Sequence, residues 1–149
     1  MATNWNFISA TTEYNTLEKS VPAPYLRKTF LSEEACKGSL KIAACGFYDL
    51  FINGEKITKG YLAPYISNTD DYIYYDEYEV KLQKGENVIG LLLGNGLQNN
   101  PGGYIWDFDK ASFRSAPLIS VLLKYNDDYV GVLRVRKTKY DKYSECGEL

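Results

Sequence analysis

The chain contains no histidine. That rules out a Ser-His-Asp or Cys-His nucleophilic arrangement and any histidine-ligated metal. Carboxylate chemistry stays open. Hydrolysis of a glycosidic bond with inversion needs two carboxyl groups about 6.5–9.5 Å apart, flanking a sugar-sized cleft. Asp76 with Glu77 and Glu145 with Glu148 are the candidate pairs. Neighbours in a strand point to opposite faces, which separates Asp76 from Glu77. The pair near the C-terminus has no scaffold in the pattern around it. The sequence therefore assigns no catalytic residue.

Binding chemistry is better represented. A sugar is held by planar hydrogen-bonding groups for its hydroxyls and an aromatic face for its C–H surface. The long Gly-, Asn- and Asp-rich loop from Gly94 to Asp109 carries both kinds. Asn95, Asn99, Asn100 and Asp107 supply the polar groups, and Tyr104 and Trp106 the aromatic faces. A connection held by asparagine turns, with Trp106 plugging one end of the core, accounts for the same residues. Asp70 and Asp71 are the calcium candidates, although calcium takes six to eight oxygens and an acidic dipeptide supplies few of them. No other metal or cofactor is called for. Cys36, Cys45 and Cys146 form no CxxC pair, and an odd count without a framework points to free thiols in a reducing compartment.

These residues must be positioned by strands. Tyr48 to Ile57 reads as a β-hairpin around Asn53-Gly54, the preferred pair for a two-residue turn with φ > 0 at both positions. Leu40, Ile42, Ala44, Tyr48, Leu50 and Ile52 share one parity and predict one buried face, with Gly46 marking a bend in the row. Further strands are predicted over 25–31, 72–80, 88–93, 117–125 and 129–136. The run from Val88 to Leu93 is apolar on both parities, as in a strand covered on both faces. Ser32 to Cys36 reads as one helical turn capped by Ser32. Asn126-Asp127-Asp128 predicts a second hairpin turn.

Many short strands, frequent turn signals and little helical periodicity define an all-β chain, a jelly-roll β-sandwich of the galactose-binding-domain-like kind. The expected organisation is an N-terminal arm or edge strand over 1–22, the sandwich over 23–136, and a C-terminal tail or truncated last strand over 137–149. Pro22 and Pro24 bracket the entry to the sandwich. The 149 residues suffice for one domain with a real core. Net charge is −2 with no basic run, which leaves nucleic acid without an electrostatic footprint. No apolar stretch approaches the roughly 20 residues of a membrane span. Met1 to Ala10 lacks the basic-then-apolar pattern of a signal peptide, and the expected location is cytoplasmic.

Six strings, in order, resemble the N-terminal β-sandwich domain of bacterial α-L-rhamnosidases. They run from Ala23 to Phe30, Gly46 to Gly54, Leu62 to Pro64, Tyr75 to Val80, Gly85 to Asn87 and Leu91 to Gly96. The resemblance spans roughly residues 23 to 96, about half of the chain. It implies an accessory domain whose partner is a catalytic (α/α)6 barrel of the same or a longer polypeptide, and that barrel carries the hydrolytic carboxylates. It also implies contact with a rhamnose-containing glycan, in some relatives through calcium. An independent carbohydrate-binding module is the alternative. Two departures bear on that role. Thr58-Lys59-Gly60 stands where relatives read Gly-Asp, and Leu97-Gln98 where they read Trp-Tyr. Exposed apolar and tyrosine patches would form the docking face, with Tyr72, Tyr74 and Tyr78 as candidates that core packing explains equally well.

Overall fold

The computed structural model describes residues 5–103, 107–126, 128–130 and 134–135. The expected tail over 137–149, with Glu145 and Glu148, lies outside them, as do Tyr104 and Trp106. Nine strands follow one another: β1 Tyr25–Ser32, β2 Cys36–Cys45, β3 Phe47–Ile52, β4 Glu55–Lys56, β5 Tyr75–Leu82, β6 Gly85–Gly94, β7 Leu118–Tyr125, β8 Asp128–Val130 and β9 Arg134–Val135. The other described element is a 3-10 turn, Phe108–Lys110. Strands β4-β3-β6-β1-β9 form one sheet and β5-β2-β7-β8 the other, every pairing antiparallel. The chain changes sheet at almost every connection, which is the all-β sandwich that the turn spacing predicts.

Alternation explains the core. Leu40, Ile42 and Ala44 on β2 face Leu50 and Ile52 on β3, Leu91 and Leu93 on β6, and Ile119, Val121 and Leu123 on β7, all buried in one cluster. Full burial of a leucine such as Leu50 contributes about 1.5–3 kcal/mol over exposure. Even-numbered residues point inward through β1, β2, β3 and β5, and odd-numbered ones through β6 and β7. The Gln83-Lys84 turn therefore moves the inward row by one residue.

Gly46 is the bend that the broken row predicts. It joins β2 to β3, which lie in different sheets. Its φ is +120°, and a Cβ there would stand 2.6 Å from the Gly94 carbonyl oxygen. Only glycine turns this corner while keeping Ala44 and Tyr48 on the inner side. The Asn53-Gly54 turn also forms as expected, with φ of 51° and 86°. The Asn53 side chain is held as well: its Nδ2 donates to Asn87 Oδ1 at 2.9 Å and its Oδ1 accepts from Val88 N at 2.8 Å. Asn87 is fully buried and closes the β5–β6 turn by donating to the Gln83 and Gly85 carbonyls.

Three expectations are corrected. Ser32 to Cys36 is no helical turn. Strands run into it from both sides, and Ser32 Oγ donates to the Glu34 carbonyl at 2.7 Å, holding a bend. The tyrosine-rich strand starts at Tyr75, not Tyr72, because the preceding residues have no neighbouring strand to pair with. Finally, β6 is not covered on both faces. Its odd row is buried and its even row half-buried, since the outer side of this sheet carries no further layer.

Replacing Gly46 by alanine adds a steric clash to a forbidden φ and should cost about 3 kcal/mol or more. Gly54→Ala, with open space around its Cβ, should cost about 1 kcal/mol. Urea unfolding of the two variants checks the order.

Candidate functional site

The Gly46 corner sets one end of the sandwich, and four segments meet there. They are the arm around Asn15, the connection through Pro64 to Thr69, the loop after β6, and the stretch from Phe108 to Ser115. Between the last three of these and the Gly46 corner lies a groove of about 270 Å³, lined by Phe47, Pro64, Tyr65, Thr69, Gln98 and Phe113, among others. Its walls are largely apolar and aromatic, with amide and hydroxyl groups at the rim. A groove of this size matches one sugar ring or another small amphipathic ligand. Gln98 is already engaged: its Nε2 donates to the Phe113 carbonyl and, at 2.9 Å, to Ser115 Oγ. Thr69 Oγ1 donates to Gln98 Oε1 at 3.4 Å.

The asparagines of the loop divide into two kinds. Asn99 is completely buried. Its Oδ1 accepts from the Asn15 backbone at 2.7 Å, its carbonyl accepts from Asn15 Nδ2 at 2.8 Å, and its Nδ2 donates to Asn95 Oδ1 at 2.8 Å. Asn95 Nδ2 in turn donates to the Val21 carbonyl at 3.3 Å, while Asn15 Oδ1 accepts from Val21 N at 2.6 Å. Asn95 and Asn99 thus face the arm and hold it against the loop. Asn100 is half-buried and its Oδ1 accepts from Gly102 N at 3.0 Å. Asp107 is exposed, 3.3 Å from Lys110 Nζ.

Asn15 was invisible in the sequence, because a lone asparagine in a polar stretch carries no signal. Arg114 reinforces it, donating to the Asn15 carbonyl and lying 4.4 Å over the Tyr14 ring. Farther along the arm, Ile8 exchanges both backbone hydrogen bonds with Ile119, each 2.9 Å, beyond the part of β7 that β8 covers.

The two calcium candidates sit in the connection before β5, both exposed. Asp70 Oδ2 accepts from Ser112 Oγ at 2.7 Å and Asp71 Oδ2 from Asn68 Nδ2 at 2.5 Å. No cluster of three or more acidic, cysteine or histidine side chains occurs among the described residues. Asp76 and Glu77 do point to opposite faces. Glu77 lies outside, accepting from Ser39 Oγ at 2.6 Å. Asp76 points between the sheets and accepts from the hydroxyl of Tyr48, which stands 3.0 Å from that of Tyr78. Burial first, and the Asp76 carboxylate second, push the Tyr48 hydroxyl far above the usual phenol range. Tyr78 is also raised, chiefly by burial. It is half-buried and faces inward, so it does not belong to the exposed tyrosine face.

Fold and loop end define a jelly-roll β-sandwich domain with a small amphipathic groove at one end. The family model described as the alpha-L-rhamnosidase N-terminal domain matches residues 33–141. The chain belongs to that family. An alpha-L-rhamnosidase of Formosa agariphila is 37% identical over an aligned length of 109, a match that covers 68% of this chain and 11% of that protein. Alpha-L-rhamnosidase from Dictyoglumus thermophilum superposes with a TM-score of 0.65 at 26% identity, over 89% of this chain and 16% of that one. The Streptomyces avermitilis enzyme, solved with L-rhamnose, gives 0.62 at 20% identity over 77% and 12%, a likeness of fold. The chain spans only a small part of each relative.

Replacing Asn99 with alanine strands buried donors on both sides of the loop and should cost about 2–3 kcal/mol. Hydrogen exchange over 10–20 should accelerate with it. For Tyr48, a folded pKa above the unfolded value of 10.0 means stability is full below pH 10 and declines as pH rises beyond it. Urea titrations between about pH 10 and 12 should therefore show a shallower decline in Tyr48→Phe than in the parent chain.

Proposed function

We propose that this chain is a non-catalytic accessory domain of an α-L-rhamnosidase-like glycoside hydrolase, one that packs on a catalytic domain of the same polypeptide. The observation that carries the reading is the placement of Asp76 and Glu77. One is tied to Tyr48 between the sheets and the other lies on the outer face of the sheet. A carboxylate pair used for glycoside hydrolysis must instead flank one cleft. Membership of the rhamnosidase N-terminal family, and the small share of each relative that the chain spans, support the same reading.

Carbohydrate contact at the loop end is the second reading, favoured by the groove between Phe47, Tyr65 and Phe113. Asp107 is exposed and Asn100 is not tied to the arm, and calcium at Asp70 and Asp71 would be an added element of this reading.

Incubated alone with a chromogenic α-L-rhamnoside, the chain should release no product. Turnover abolished by Asp76→Asn or Glu77→Gln would overturn the accessory reading. Calorimetry with L-rhamnose, with and without calcium, separates the two readings: heat that disappears in Phe113→Ala marks the groove as a sugar site, and its absence leaves packing as the role.

A further inference from the structure

We infer that the segment from Tyr61 to Tyr75, centred on Tyr61, Leu62, Tyr65 and Ile66, is the surface through which this domain docks its catalytic domain. The inference rests on the accessory-domain reading and adds the contact face to it. Four observations converge. First, exposed apolar side chains concentrate here: Tyr61 is 89% exposed, Leu62 67%, Tyr65 86% and Ile66 65%, and Tyr74, in edge contact with Tyr72, is tied to this segment by its backbone N donating to Ser67 Oγ at 2.9 Å. Isolated apolar residues on a surface are ordinary, but a contiguous patch marks an interaction site.

Second, the segment is anchored to the sandwich in the middle of these exposed residues. Ala63 is pinned to β3 by Tyr48 N donating to its carbonyl at 2.8 Å, and Pro64 next to it is buried. The exposed residues flank this anchor on both sides. Third, Leu62 has φ of +63°, a conformation that disfavours a leucine. Strain that turns a branched apolar side chain toward water points to a role outside the isolated domain. Fourth, residues 61–75 contain no lysine or arginine and only Asp70 and Asp71 as charges, the low-charge composition of an interface centre. The occupant is a folded domain: Tyr61, Tyr65, Tyr72 and Tyr74 would also suit a sugar, but the aliphatic Leu62 and Ile66 among them offer it neither a flat ring nor a hydrogen bond and fit an apolar protein surface. The relatives supply such an occupant: the matched region is 11% of one and 16% of another, so most of each polypeptide lies outside it.

The test is hydrogen exchange on this chain alone and on a chimaera in which it replaces the matching residues of the Formosa agariphila relative. Peptides over 61–75 should exchange at least about tenfold slower in the chimaera. Tyr65→Ser with Ile66→Ser should remove that protection while leaving the melting temperature of the isolated chain unchanged. Protection confined to another face, such as the outer side of β1, overturns the surface and leaves the accessory reading standing. A chimaera that retains rhamnosidase activity but protects no part of this chain overturns both. In the isolated chain, Leu62→Gly should raise the melting temperature by about 2–5 °C, because glycine relieves the strain without loss of a core contact. A lower melting temperature would show that Leu62 serves the domain's own stability and sink the assignment.

Discussion

One apolar layer, filled from both sheets, is the constraint on which the rest of the structure depends. Strands β1, β2, β3, β5, β6 and β7 each contribute one row to it, and each connection between them must deliver the next row to the same interior. Between β2 and β3 this is done by Gly46, where the Gly94 carbonyl leaves no space for a side chain. At the β5–β6 turn Asn87 replaces missing strand partners with its own amide. Errors at either point would carry apolar rows into water, since a slip of one residue inverts a strand.

Polar groups enter the sandwich only where they are matched. Tyr48 reaches from one sheet to Asp76 in the other at the end set by the Gly46 corner. Tyr125 reaches the Leu31 carbonyl at 3.1 Å at the opposite end. Both tyrosines are long enough to bury a ring and still present a hydroxyl at the boundary, which explains part of the high tyrosine content. The other described tyrosines are divided by position rather than by type. Those on the inward row close the core, and those in the Tyr61 to Tyr75 connection face solvent.

The loop end shows how family resemblance and local physics combine. The string Leu91 to Gly96 runs out of β6, the central strand of its sheet, where Gly94 lies against Phe47. Asn95 and Asn99 hold the arm in place, so their presence is accounted for before any ligand is considered. Groove walls come from segments distant in sequence, and their side chains meet only because the chain crosses between the sheets so often.

Sequence by itself determined the two-sheet β architecture, the inward row of β2 and β3, the Asn53-Gly54 turn, the Gly46 corner and the rhamnosidase family. These follow from local periodicity, from backbone conformations that few residues can adopt, and from strings whose order is preserved. It could not reveal that Asn15 is the partner of Asn99, that Tyr78 faces inward while Tyr72 and Tyr74 face water, or that Gln98 and Phe113 share a groove. Nor could it show that Ser32 bends the chain instead of starting a helix. Those features depend on which distant segments the folded backbone brings within hydrogen-bonding or contact distance. An asparagine or a tyrosine reads the same in sequence whether its partner is water or a residue eighty positions away.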